Sequence, residues 1–263
     1  MKTRPRPPRT SGPGTKDQRP TTSPPPSPPA CADEAELAGL LLERSACCCE
    51  TDGEVDERTD DRIAALDRRI CRRFERDVAI FVLDMSGFTR ITVARGILHY
   101  LMMIHRMREL CSPIVRRHRG VVVKVDADNL FARFPSVHHA VEAAMHIADR
   151  LAEANLDTDD ESDIHVSIGI GWGPTLVLEH DLWGSDFNIA AKLGEDVAGA
   201  GEIWLTAAAH RVLSSPPVRT RHQAPRTNNG AGSAGASLRF RRRPLTLSGM
   251  PYTAWLLRPH AMR

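Results

Sequence analysis

Apolar side chains fall along this chain in two rhythms, and the alternation between them lays out a mixed fold. Between residues 54 and 76, Val55, Ile63, Leu66, Ile70 and Phe74 recur at helical spacing among charged neighbours, which predicts an amphipathic helix with Thr59 or Asp60 as its N-cap. Its single apolar stripe needs a partner, either the adjoining domain or the same helix in a second subunit. Residues 78–83 then form a continuous apolar run rich in branched side chains, the mark of a buried strand ending at Asp84. Ile97, Leu98, Leu101, Ile104, His105 and Leu110 return to a period of 3.6 until Pro113, which is expected to interrupt that helix.

Residues 121–125 and 130–134 read as two strands joined by Asp126, Ala127, Asp128 and Asn129, a hairpin signal. A helix over 137–155, an acidic loop over 157–163 and a strand over 165–170 complete the order βαββαβ. That succession predicts an α+β fold, a ferredoxin-like core with helices packed on one face of an antiparallel sheet. Further strands at 175–178 and 202–206, with a helix over 185–197, extend the core. A flexible loop is expected over about 222–237, and 239–247 with 252–257 reads as a closing hairpin.

Composition changes the picture at the N-terminus. The first thirty residues hold ten of the nineteen prolines and almost no large apolar side chain, so residues 1–53 are expected to be a disordered, Pro-rich tail and linker. The tail is basic, with Lys2, Arg4, Arg6, Arg9, Lys16 and Arg19 against Asp17; a solvated linker is the plain reading, and its proline density opposes a transit peptide. A net charge of +2 leaves no footprint for nucleic acid. No apolar stretch approaches the roughly 18 residues that span a membrane, so a cytoplasmic chain is expected. Six cysteines, three of them adjacent at Cys47, Cys48 and Cys49, lack the paired spacing of a zinc site and read as reduced thiols.

Asp84 is followed by Met85, Ser86, Gly87, Phe88 and Thr89, a small-residue turn leading toward a helix whose free amides suit phosphate oxygens. Taken alone, an Asp at a strand end is more often a turn or cap residue. Asp126 and Asp128 sit at the hairpin tip; if that strand neighbours the first, a carboxylate there approaches Asp84, and converging carboxylates suit Mg²⁺. A solvated tip is the plainer alternative. Asn188 and Lys192 are four apart on one helix face, where an amide and a cation can meet one phosphate or ribose, or simply face water. Asp181 stands before that helix.

In order and spacing, the series Phe81-Val-Leu-Asp84-Met-Ser-Gly-Phe-Thr89, then Lys124-Val-Asp-Ala-Asp128-Asn-Leu-Phe-Ala-Arg-Phe134, then Asp181-Leu-Trp-Gly184 with Asn188 and Lys192, resembles the class III adenylate and guanylate cyclase catalytic domain. The likeness covers about residues 77–213, and the strand at 201–206 and the hairpin around Ser248 and Gly249 resemble the elements that follow in that family. A cyclase domain over 77–263 is therefore expected.

The resemblance implies that Asp84 and Asp128 hold two Mg²⁺ or Mn²⁺ ions per site, with Gly87, Phe88 and Thr89 beside the triphosphate. It implies that Lys124 and Asp181 recognise adenine, that Asn188 orients the ribose and that Lys192 stabilises transition-state charge. The expected reaction converts ATP to 3′,5′-cyclic AMP and pyrophosphate. Family sites form between two subunits, which implies a homodimer with two equivalent sites. Lys192 stands where better-known members carry arginine, and Ala127 replaces the usual glycine. The lysine motivates an alternative, a catalytically silent domain that dimerises or senses nucleotide. The hairpin lacks the Gly-Gly-(Asp/Glu)-Glu-Phe run of diguanylate cyclases.

Overall fold

β1 (Glu75–Met85) is apolar on both faces through its middle, and a strand buried on both sides belongs at the centre of a sheet. In the computed structural model, which describes residues 32–49, 57–215 and 238–258, β1 pairs antiparallel with β3 (Asn129–Phe134) on one side and β4 (Val166–Val177) on the other. β2 (Val121–Asp126) lies beyond β3. On the far side β6 (Ile203–Leu205) runs parallel to β4 and is followed outward by β8 (Met250–Arg258) and β7 (Arg239–Leu247). The order β2-β3-β1-β4 is that of a ferredoxin-like core, and the extended α+β fold expected from the sequence is the one adopted.

The two faces of the sheet are covered differently. Ala79, Phe81 and Leu83 pack into the main core beneath α4 (Ile97–Arg117) and α5 (Val137–Asn155), with Tyr100, Met107, Ala140 and Ile147. Val78, Ile80 and Val82 face the other way, toward Ala190 of α6 (Ser185–Lys192). On that face β4 presents Gly169, Gly171 and Gly173, alternate residues that share one side of a strand. A Cβ at Gly169 would stand 2.0 Å from the Ala190 carbonyl oxygen, and one at Gly173 would stand 2.3 Å from an Asp186 carboxylate oxygen. The helix therefore rests on bare backbone.

The structure corrects the sequence reading in several places. The segment 1–53, read as disordered tail and linker, contains a helix, α1 (Ala32–Cys49). Its Ala, Leu and Glu content favours helix, and Leu37 and Leu40 are buried against Leu178 and against Ile70 and Phe74 of α2 (Glu57–Phe74). That packing gives the α2 stripe its partner within the chain. The proline runs, Val55 and the expected loop over 222–237 lie outside the described residues.

Pro113 does not end α4, which continues to Arg117. Ile114 and Val115 are buried there, and at about 1.5–3 kcal/mol each their burial outweighs the roughly 3 kcal/mol that an interior proline costs. The strands expected at 165–170 and 175–178 are one strand, β4. Its edge away from β1 pairs with β6 at 168–170 and with β5 (Leu182–Trp183) at 176–177. Pro174 falls between those patches, where among the described residues its missing N–H costs no ladder bond. The helix expected over 185–197 is α6 followed by a π-type turn, Leu193–Val197. Two further short helices, α3 (Phe88–Arg95) and α7 (Ala207–Ser214), complete the chain order. No helix among the described residues is long and apolar enough to cross a membrane.

The bare face of β4 makes a testable demand. Gly169→Ala should lower stability by about 3 kcal/mol through overpacking against Ala190, read as a fall in the urea midpoint. Gly39→Ala, inside α1 with open space around it, should instead raise stability by about 0.5–1 kcal/mol.

Candidate active site

The ladder between β1 and β4 carries Asp84 to the edge of the main core, opposite Ser167. The chain then turns at Ser86 and Gly87. The Ser86 amide donates to the His165 carbonyl at 2.9 Å, and Gly87 adopts φ 99, a left-handed conformation open to glycine at little cost. α3 starts immediately afterwards, so its first-turn amides, including those of Phe88 and Thr89, have no partner within the helix.

The hairpin arrives from the other side. Asp126 pairs with Asn129, so the link is two residues, Ala127 and Asp128, rather than the four-residue connection read from the pattern. Ala127 takes φ 47, the position where such loops prefer glycine, and its carbonyl accepts from Arg108 Nη2 at 2.7 Å. The two hairpin carboxylates diverge. Asp126 lies 3.8 Å from Lys124 Nζ, whereas Asp128 accepts a hydrogen bond from the Tyr100 hydroxyl at 2.9 Å. Tyr100 is buried and its ring is met edge-on by Phe88 at 4.9 Å.

Asp84, the Ser86–Thr89 turn, Asp128 and Glu195 thus line one open cleft of about 570 Å³. Burial raises the Asp84 carboxyl to about 7, and the charges of Asp128, Glu195 and Asp196 add to the shift. Glu195 is raised too, by burial first and Asp196 next, with Lys192 opposing. The Tyr100 phenol is pushed well above its ordinary value by burial and by Asp128. The cleft therefore concentrates negative charge. Among the described residues no group of three or more His, Cys, Asp or Glu is arranged to hold an ion. Asp84 and Asp128 are the oxygen donors a hard divalent cation would find there, and such an ion would relieve the repulsion while keeping positions open for water and phosphate.

The remaining candidates fall in two places. Lys124 Nζ lies 4.0 Å from Asp181 Oδ2, and Asp181 Oδ1 accepts from the Leu182 amide at 2.9 Å. Asn188 and Lys192 share α6, where Lys192 Nζ lies 3.4 Å from Asp196 Oδ2. Lys124, Asp181, Asn188 and Lys192 do not line the cleft of Asp84 and Asp128. Sequence reasoning missed Tyr100, Arg108 and Glu195 beside the cleft. Tyr100 and Arg108 carry no local signal, since each reads as an ordinary helix residue. Glu195 follows Lys192 by three, and only the π-type turn, a feature frequent at functional sites, sets it apart.

The family model for the adenylate and guanylate cyclase catalytic domain matches residues 72–233, and the chain belongs to that family. A Rhizobium meliloti (strain 1021) protein with the name "Putative adenylate cyclase 3" is 29% identical over 135 residues, 51% of this chain and 23% of that protein. A Myxococcus xanthus serine/threonine-protein kinase is 26% identical over 132 residues, 50% of this chain and 16% of its own length. The chain thus spans less than a quarter of these relatives. Among solved structures, an adenylate/guanylate cyclase/hydrolase from Silicibacter pomeroyi aligns with TM-score 0.56 and 24% identity, over 70% of this chain and 98% of that one. A non-canonical dimeric guanylyl cyclase domain from the aquatic fungus Blastocladiella emersonii aligns at 0.52 and 18%, over 70% and 97%. At these identities the structures show the fold alone, and the family model makes this chain an adenylate/guanylate cyclase catalytic domain by family.

The electrostatics predict a pH signature. Because Asp84 binds its proton more tightly when folded, stability is lost as pH rises from the ordinary value of 3.8 through about 7. Asp84→Asn should therefore raise the melting temperature at about pH 8 in chelator-treated protein, with the gain shrinking to nothing near pH 4. Thermal melts of the two proteins across that range check it.

Proposed function

We propose that the chain is an adenylate cyclase that converts ATP to 3′,5′-cyclic AMP and pyrophosphate. One observation carries the reading: Asp84 and Asp128, from distant parts of the chain, line the same cleft as the Gly87 turn and the start of α3. The name of the Rhizobium meliloti relative supports the choice of ATP.

Asp84 and Asp128 contribute the oxygen ligands for two Mg²⁺ or Mn²⁺ ions. Bound there, such ions supply positive charge against the triphosphate and make the ribose 3′ hydroxyl easier to deprotonate. The amides that follow Gly87, at Phe88 and Thr89, hold phosphate oxygens at a helix N-terminus. Tyr100 fixes the Asp128 carboxylate through its hydroxyl. The 3′ hydroxyl gives its proton to solvent water, and its oxygen bonds to the α-phosphorus as the bond to the pyrophosphate oxygen breaks and pyrophosphate leaves with that electron pair. Asn188 orients the ribose, and Lys192 opposes the charge that grows on the phosphoryl oxygens.

Lys124 and Asp181 read the base by complementary chemistry. An ammonium donates to a ring nitrogen of adenine, and a carboxylate accepts from its exocyclic amine. Guanine presents an N–H and a carbonyl at the same edge, which sets donor against donor and acceptor against acceptor. The separation of this pair from the metal cleft supports a homodimer in which each site combines the carboxylates of one subunit with the base and ribose contacts of the other. Lys192 favours a second reading, a silent nucleotide-sensing domain. An ammonium lacks the two-pronged fork of a guanidinium, and here it is also engaged by Asp196.

Incubation of the purified chain with ATP and Mn²⁺ decides between the two, since cyclic AMP forms only under the first. Asp84→Ala and Asp128→Ala should each cut turnover by at least about 100-fold with unchanged circular dichroism; unchanged turnover in either would show the metal assignment to be misplaced. Lys124→Glu should lower the preference for ATP over GTP by about tenfold in a competition assay.

A further inference from the structure

α1 lies against the part of the sheet that carries Asp181. Leu37 and Leu40 are 7% and 3% exposed and bury against Leu178, at 4%. Leu178 opens the turn that holds Asp181: its amide donates to the Asp181 carbonyl at 3.0 Å, and the Leu182 amide closes the turn on the Asp181 carboxylate at 2.9 Å. The second oxygen of that carboxylate is the one that faces Lys124. A short chain of contacts therefore runs from α1 through Leu178 to the Lys124–Asp181 pair.

α1 is also a wall. Together with β4 and β5 it encloses a groove of about 540 Å³, lined by Leu37 and Leu41 on one side and by Leu178, Asp181 and Trp183 on the other. Leu41 and Trp183 remain 48% and 56% exposed, so the groove is apolar, open and ends on a carboxylate. The helix is held in place by α2 through ion pairs, Arg44 Nε to Asp67 Oδ1 at 2.6 Å, and Arg73 to Asp33 at 2.6 Å and to Glu36 at 3.2 Å. These partners are substantially solvent-exposed, so the bridges contribute little stability; the leucines hold the helix and the charges set its register. α2 runs without a break into β1, whose last residue but one is Asp84. The two N-terminal helices thus address different halves of the site.

We propose that α1 is a positioning element for the Asp181 turn, so that displacement of α1 alters recognition of the base while leaving the Asp84–Asp128 cleft intact. The proposal rests on the reading of Lys124 and Asp181 as the base-contacting pair. Leu37, Leu40 and Leu41 act on the base through the turn and the groove wall; they are positioning residues, not catalytic ones.

The test uses the full chain with Leu37→Ala and Leu40→Ala combined, and Leu37→Met with Leu40→Met as the conservative pair. Amide hydrogen exchange reads the physical link without any activity. In the alanine pair the amides of residues 178–183 should exchange about tenfold faster or more, as expected for a local opening, while those of 100–115 stay unchanged. Faster exchange within 32–49 with no change at 178–183 would overturn the proposal. Kinetics read the consequence: KM for ATP should rise about fivefold with kcat changed less than about twofold, and the methionine pair should restore both exchange and KM. A fall in kcat alone, or an unchanged KM once 178–183 has loosened, would equally overturn it. Failure of the wild-type chain to cyclise either ATP or GTP would instead sink the catalytic reading, and the exchange data would still decide whether α1 holds the turn.

Discussion

The antiparallel ladder that joins β1 to β4, unbroken from the Glu75–Leu176 pair to the Met85–Val166 pair, is the constraint on which the rest of the molecule hangs. It is longer than any other pairing involving β1, and it fixes three things together. One face receives α4 and α5 and becomes the main core. The other, stripped of side chains at Gly169, Gly171 and Gly173, lets α6 approach the backbone. The two ends of the paired strands then carry Asp84 at one extremity and lead into the Asp181 turn at the other. A slip of one residue in this ladder would exchange the two faces and separate every group of the site from its neighbours.

Around that frame the chain tolerates local costs that make sense only at a functional cleft. Ala127 sits at positive φ where glycine is the easier choice. Burial moves the Asp84 carboxyl to about 7, and the negative charges of Asp128, Glu195 and Asp196 crowded around it add to the shift. Neither feature helps the fold; on the function proposed above, a divalent cation in the cleft would offset the carboxylate repulsion and leave room for the phosphates of a nucleotide. Tyr100 and Arg108, both from α4, hold the hairpin in that strained and repulsive arrangement. The helix that packs the core thus also pins the site.

Much of this was legible in the order of residues. The continuous run ending at Asp84, the two runs flanking Asp126 and Asp128, and the period of the helices between them were enough for the core topology, because burial on one or both faces imposes a period that a chain cannot disguise. What misled was punctuation. Pro113 reads locally as a break, yet it sits where the burial of its neighbours offsets its cost, and the two strands expected at 165–170 and 175–178 are one because Pro174 falls where its missing N–H breaks no ladder bond. α1 was hidden by its neighbourhood, a proline-rich stretch that ends just before it.

By itself, then, the sequence determined which residues form strands and helices, that they make a ferredoxin-like core, and which acidic and basic side chains were candidates for a nucleotide site, since periodicity and motif spacing are local properties. The family resemblance had already pointed to Asp128; only the tertiary structure decided that it lines one cleft with Asp84 while Asp126 turns toward Lys124, that Tyr100 and Glu195 stand beside them, and that Lys124 meets Asp181 elsewhere. Those outcomes depend on how the hairpin, α4 and the π-type turn are brought together across the sheet. Contacts between residues far apart in the chain arise from packing, and no local pattern encodes them.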